Sequence, residues 1–176
     1  MENRLIFEFL TRAGALLRDS TPSWSNVFAM QHHGMPTRLL DWTETFGVAL
    51  FFALREGKGD AAVWILDPYD LNQLTRAKRT ILDVTAFAHS YYDYFISGEQ
   101  QFDPPVVALS PPSDHPRILH QRGCFTLHKD ISTPLEELYG DVVTKVVIPA
   151  AARDDARMFL RSVGISEFPS SPTSTA

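Results

Sequence analysis

Cysteine is almost missing from this chain: Cys124 is the single thiol in 176 residues, so no internal disulfide can staple the fold. Basic charge is short as well. Sixteen Lys and Arg face 21 Asp and Glu for a net charge of −5, which gives no general attraction for nucleic acid or an anionic membrane. The best basic cluster, Arg76-Ala77-Lys78-Arg79, reads as a solvated helix end, so nucleic acid is an unfavoured partner, though a local contact stays open. There is no basic start followed by an apolar segment and no apolar run of membrane-spanning length, which points to a cytoplasmic protein with no membrane partner. Phosphate-loop and dinucleotide fingerprints are also missing. Gly57-Lys58-Gly59 is a turn from helix to strand, the reverse of the strand-to-helix context that cradles phosphate. No Cys or His spacing matches a structural zinc site, so no metal is expected.

What is present is enough apolar material for a sizeable core, with 44% hydrophobic and 21% charged residues, the balance of one globular domain. Leu5, Ile6, Phe9, Leu10, Ala13, Leu16 and Leu17 form a helical stripe from about Glu2. A second helix should run from Ser23 or Trp24 towards His33 and stop at Gly34, with Trp24, Phe28 and His32 on one inward face. Thr43 should cap a third helix ending at Gly57, whose uncharged Phe46 to Leu54 stretch reads as central and buried. Ala61 to Leu66 reads as a buried strand, and Asp67-Pro68 opens another helix.

Beyond that, Ile81 to Ile96 suggests a helix, whereas the five prolines in Gln101 to Pro116 suggest a loop or edge segment. Short strands are expected at Arg117 to His120 and Cys124 to His128, and a brief helix starts at Thr133-Pro134. A β-branched strand at Val142 to Ile148 and a closing helix at Ala150 to Val163 complete the order. The Ser-, Thr- and Pro-rich tail, residues 169–176, reads as disordered. The class is α+β: one domain over residues 1–168, with a helical amino-terminal half packed on a small mixed or antiparallel sheet.

The most chemically loaded segment is Gln31-His32-His33-Gly34-Met35-Pro36-Thr37-Arg38-Leu39-Leu40-Asp41-Trp42-Thr43. Pro36 fixes its own φ and biases Met35 to an extended conformation, while Gly34 permits a left-handed cap. From the residues alone two readings stand level: a ligand-binding wall, or a rigid turn whose Arg38 and Asp41 pair with each other or with backbone. His33 or His128 with Asp41 could make a general-base pair, and hence a hydrolase. Cys124 reads as an inert thiol.

This run, continued through Val48-Ala49-Leu50-Phe51-Phe52-Ala53, resembles the FRG domain family, whose recurrent string is Gln-His-aromatic-Gly-Leu-Pro-Thr-Arg-Leu-Leu-Asp-Trp-Thr followed by an apolar helix. Ala61 to Pro68 is similar to the family's next strand, and Arg117 to Thr126 to its Arg-Ile-x-x-Gln-x-Gly-x-Phe-Thr segment. The amino-terminal Phe-Arg-Gly element for which the family is named does not occur, so a domain missing its first strand is expected, with an oligomer or a partner covering the gap.

The order of elements in the family is similar to that of mono-ADP-ribosyltransferases. The resemblance implies an ADP-ribosyltransferase-like fold, NAD or another nucleotide as the small-molecule partner, and a setting in prokaryotic defence or toxin systems. The catalytic candidates are Arg38 and Asp41 of the run, His33 from the general-base reading, and Gln121, which stands where the resemblance implies a glutamate. Gln31, His32, Gly34, Thr37, Trp42, Thr43, Gly123 and Thr126 are then the cofactor-binding candidates. The alternative is a non-catalytic module that recognises a ligand or nucleic-acid end through Arg38, Trp42 and the Tyr91 to Phe95 aromatics.

Overall fold

The computed structural model describes residues 2–13, 23–111 and 123–165. In chain order its elements are α1 (Glu2–Ala13), α2 (Trp24–His32), β1 (Leu39–Thr43), α3 (Phe46–Arg55), β2 (Ala61–Leu66), α4 (Pro68–Arg76), β3 (Leu82–Asp83), α5 (Tyr91–Phe95), β4 (Val106–Ser110), β5 (Gly123–His128), α6 (Leu135–Leu138), β6 (Val143–Ile148) and α7 (Arg153–Ser162). Single 3-10 turns at Val84–Ala86 and Ala150–Ala152 separate some of them. The class is α+β as expected. The chain divides into two compact units, Met1–Trp42 with Pro68–Pro134, and Thr43–Asp67 with Leu135–Ala176.

The first unit holds a four-stranded sheet in the order β1-β5-β4-β3, with β4 antiparallel to β5 and parallel to β3. Strand alternation sends Val107, Leu109 and Leu127 to one face, where they join Ile6, Leu10, Val27, Phe28 and Met30 of the two amino-terminal helices in one core. Phe28 meets Phe125 edge-on at 4.9 Å between ring centroids, which ties α2 to β5. An aromatic cluster extends this core: Trp24 stacks on Phe87 at 4.7 Å, and Phe102 lies 5.0 Å from Phe95.

On the other side of β4 a buried side chain stands in for a strand. Asn72 of α4 accepts from the Ala108 N–H at 2.8 Å and donates to the Ala108 carbonyl at 2.8 Å and the Thr80 carbonyl at 2.7 Å. Its amide thus satisfies backbone groups that the two-residue β3 is too short to reach.

In the second unit β2 and β6 pair antiparallel from Ala61↔Ile148 to Leu66↔Val143, and α3 and α7 contribute Leu50, Leu54 and Leu160 to a core around Val63. Arg153, only 4% exposed, closes the carboxyl end of α3. Its guanidinium donates to the carbonyls of Leu54, Glu56, Gly57 and Gly59 at 2.9 to 3.0 Å. A cation at this end of a helix also opposes the partial negative charge there.

Several expectations are corrected. His32 is exposed and does not point inward with Phe28, because α2 ends at that residue and the turn carries it off the buried stripe. Thr43 does not cap α3: it ends β1, the cap position is Thr45, and the Thr43 hydroxyl accepts from the Thr45 N–H at 3.1 Å. Nor is α3 buried all round, since a two-stranded sheet covers one side only and leaves Phe46 50% and Phe52 53% exposed. β2 is not buried along its length either: Val63 is buried, but Ile65, two residues on along the same face, is 49% exposed.

Ile81 to Ile96 is not one helix. Asp83 caps a 3-10 turn through the Thr85 N–H, and a capping box between Ser90 and Asp93 starts α5 afresh. The proline-rich stretch contains the most deeply buried strand: Val106, Val107, Ala108 and Leu109 are at 0% exposure, and Pro104, Pro105 and Pro111 merely bracket it. Leu16, Leu17, the Arg117 to His120 strand and the tail from residue 169 lie outside the described residues.

Replacing Asn72 by Leu should keep the bulk of the side chain but strand the Ala108 N–H and two carbonyls, at a cost of about 3 kcal/mol. Urea unfolding measures it, and a loss below about 1 kcal/mol would show that the amide is not needed to close β4.

Candidate functional site

The Gln31 to Trp42 run turns back on α2 through a left-handed cap. Gly34 has φ +72°, its N–H donates to the Gln31 carbonyl at 3.0 Å, and the Met35 N–H reaches the Met30 carbonyl at 3.0 Å. This pair of bonds is the Schellman ending of a helix, closed by apolar packing of Met35 on the core that holds Met30. Its effect is to bring Thr37 back to the last turn of α2.

A directed chain of hydrogen bonds follows. The Leu39 N–H donates to the Thr37 hydroxyl at 3.1 Å, that hydroxyl donates to Gln31 Oε1 at 2.5 Å, and Gln31 Nε2 donates to Asp41 Oδ2 at 3.0 Å. Each direction is fixed by the one before it, because a backbone N–H can only give and an ionised carboxylate can only accept. Asp41 remains accessible to solvent, yet the protein packed round its carboxyl removes enough water to raise its pKa above the ordinary carboxylate range. The Gln31 hydrogen bond and the neighbouring His32 imidazole act the other way and are outweighed.

Asp41 and Trp42 are adjacent on a strand, so their side chains leave from opposite faces. Asp41 shares the helix side with Leu39, which lies in the amino-terminal core. Trp42 meets Thr126 instead: its indole N–H donates to the Thr126 hydroxyl at 3.0 Å, and that hydroxyl lies 2.9 Å from His128 Nε2. Thr126 is fully buried and His128 is 8% exposed. Burial pushes the His128 pKa down, which favours the neutral ring. The indole can only donate, so the Thr126 hydroxyl accepts there and has its own proton and a second lone pair for Nε2 of the imidazole.

The candidate residues therefore fall into separate groups. Gln31, Thr37 and Asp41 are joined, with His32 electrostatically close to Asp41. Trp42 and Thr126 are joined to His128. Arg38 donates to the Lys129 carbonyl and lies 4.9 Å over the Phe95 ring. His33 caps α2 and faces Phe9 at 6.0 Å, on the α1 side. Gly34 shapes the turn, Thr43 holds the Thr45 N–H, and Gly123 opens β5 half-buried.

Gln121 lies outside the described residues. The Lys129 carbonyl escaped sequence reasoning because a backbone acceptor leaves no mark on residue type. Among the described residues no cluster of three or more His, Cys, Asp or Glu is placed to hold a metal ion, and no helix is long and apolar enough to cross a membrane.

The family model of the FRG domain matches residues 1–61, a stretch that takes in α1, α2, the whole Gln31 to Thr43 run and α3. The match covers 61 of the 176 residues, so this amino-terminal stretch is similar to an FRG domain, and it ends at the first residue of β2. No curated protein and no solved structure matches the chain.

Two predictions test this geometry. Gly34→Ala should cost about 1 kcal/mol through its left-handed φ, with Gly34→Asn milder, since Asn tolerates that conformation; equal stability of all three by urea unfolding would count against the cap.

Asp41 and His128 should have opposite pH signatures. A raised pKa means that folded Asp41 holds its proton more tightly than the unfolded chain, so stability falls as pH rises from the ordinary value of 3.8 through the folded one. Asp41→Asn should remove that slope and raise the urea midpoint at pH 7. The lowered pKa of His128 contributes stability that is complete above the ordinary value of 6.5 and is lost as pH falls below it; His128→Gln should flatten that acid limb.

Proposed function

We propose that the Asp41 side of β1 binds a nucleotide, with NAD as the ligand and ADP-ribosyl transfer as the class of activity. The observation that carries this reading is the directed hydrogen-bond chain from the Leu39 N–H through Thr37 and Gln31 to one oxygen of a solvent-accessible carboxylate. A carboxylate already oriented from behind can accept hydrogen bonds from the vicinal hydroxyls of a ribose without reorganising, and it offers a fixed negative charge where positive charge develops on a sugar. The donor set suits such a ligand: Asp41 takes hydroxyl protons, while Arg38 supplies cationic charge for a diphosphate. Bound NAD would bring the labile bond between ribose and nicotinamide. The chain's own part is to hold the anion at Asp41 and limit its hydration.

A non-catalytic recognition module is the second reading, favoured by the Arg38 contact with Phe95 and its aromatic neighbours. The hydrolase reading draws less support, because His33 sits against Phe9 and His128 against Thr126.

Calorimetric titration with NAD, alongside chromatography for released nicotinamide, separates these readings. We expect saturable binding that Asp41→Ala weakens by about tenfold or more, the scale of a charge-assisted hydrogen bond, with little change in melting temperature. Saturation without nicotinamide release supports the recognition module. No saturable binding of NAD, ADP-ribose or AMP would sink the nucleotide reading altogether.

A further inference from the structure

β1 is five residues long and ends the sheet order, with β5 as its neighbour there. An edge strand held from one side has few bonds to fix its path. Here one residue of β5 holds it at both ends. The His128 N–H donates to the Arg38 carbonyl at 3.0 Å, just before β1, and the His128 ring reaches Trp42, near its end, through the Thr126 hydroxyl. The residues opposite Thr126 and His128 on β4 are Ala108 and Val106, both fully buried and apolar. A hydroxyl and an imidazole in such surroundings are costly unless each is hydrogen-bonded, and an apolar pair would fill the space at less risk. What the polar set adds is direction: an indole that donates to a hydroxyl can stand in only one place.

We propose that Thr126 and His128 are positioning residues for Asp41: by holding the Trp42 indole on one face of the sheet they fix the path of β1, and so the place of the carboxylate on the other face. Neither residue touches the ligand in this scheme. They act through Trp42 and the strand. The inference rests on reading Asp41 as the ligand-binding group, but its test needs no ligand.

The Asp41 carboxyl is followed by carbon-13 NMR titration and the Trp42 indole N–H by hydrogen exchange, in the wild type, Thr126→Ser, Thr126→Val and Trp42→Phe. Thr126→Ser keeps the hydroxyl and should match the wild type in both. Thr126→Val keeps the shape and loses the hydroxyl: indole exchange should quicken by about tenfold, the scale of one hydrogen bond, and the Asp41 titration should move down towards the ordinary carboxylate range as the strand loosens and water reaches it.

Trp42→Phe should shift Asp41 in the same direction, which keeps the test intact if Thr126→Val fails to fold. An Asp41 titration that stays at its wild-type position in Trp42→Phe overturns the proposal. NAD titration of the same samples keeps the two ideas apart. If wild type does not bind NAD while Asp41 still follows Thr126, the nucleotide reading fails and the positioning role stands; if NAD binds equally well to wild type and Thr126→Val, the positioning role fails alone.

Discussion

The two-residue period of β1 governs everything around the candidate site. Because side chains alternate, the same five-residue strand delivers a carboxylate to the helix side of the sheet and an indole to the other, and each meets a partner suited to it. A slip of one residue in the pairing would exchange them, placing Asp41 among Thr126 and His128 and exposing the indole to the Gln31 amide. The register is therefore a chemical choice as well as a packing one. It is reinforced from α2, whose last turn is bent by the Gly34 cap so that Gln31 and Thr37 stand where the strand passes.

Buried polar side chains complete backbone pairing elsewhere too. Asn72 serves the open edge of β4, and Arg153 serves the end of α3, in each case by supplying donors or acceptors that a longer strand or another turn of helix would have provided. The elements are short, and β3 has only two residues. Short elements leave more ends, and each buried end must be satisfied. These two residues look alike in purpose, but Asn72 works through a neutral amide that both gives and accepts, whereas Arg153 can only give and so is matched entirely with carbonyls.

Local chemistry made much of this order legible. Pro68 marked the first residue of α4, Gly34 the stop of α2, and the β-branched run at Val143–Ile148 the last strand, because each acts through its own backbone or its immediate neighbours. What escaped depended on partners remote in sequence or on competing local bonds. β4 was hidden by the prolines on either side of it, although proline at a strand end costs nothing. The single helix expected over Ile81 to Ile96 ignored that Asp83 and Ser90 would each rather cap than continue. At the site, the density of polar residues in one run was visible, but not that alternation would split them between two faces, nor that Thr126, 84 residues away, would take the Trp42 indole.

The Arg153 cage has a consequence for how the chain comes to be folded. The carbonyls it serves lie 94 to 99 residues earlier in the sequence, and β2 likewise waits for β6. On a ribosome adding roughly 5–20 residues each second, α3 and β2 therefore emerge several seconds before anything that can finish them. Through that interval the core around Leu50, Leu54 and Val63 lacks Leu160 of α7, and the end of α3 lacks its Arg153 donor. The first unit is interrupted by this same segment, with α1 and α2 before it and α4 and α5 after it. The interval is thus one in which a helix with no charge before Arg55, and with phenylalanines that stay exposed even afterwards, is open to any chaperone or to another nascent chain.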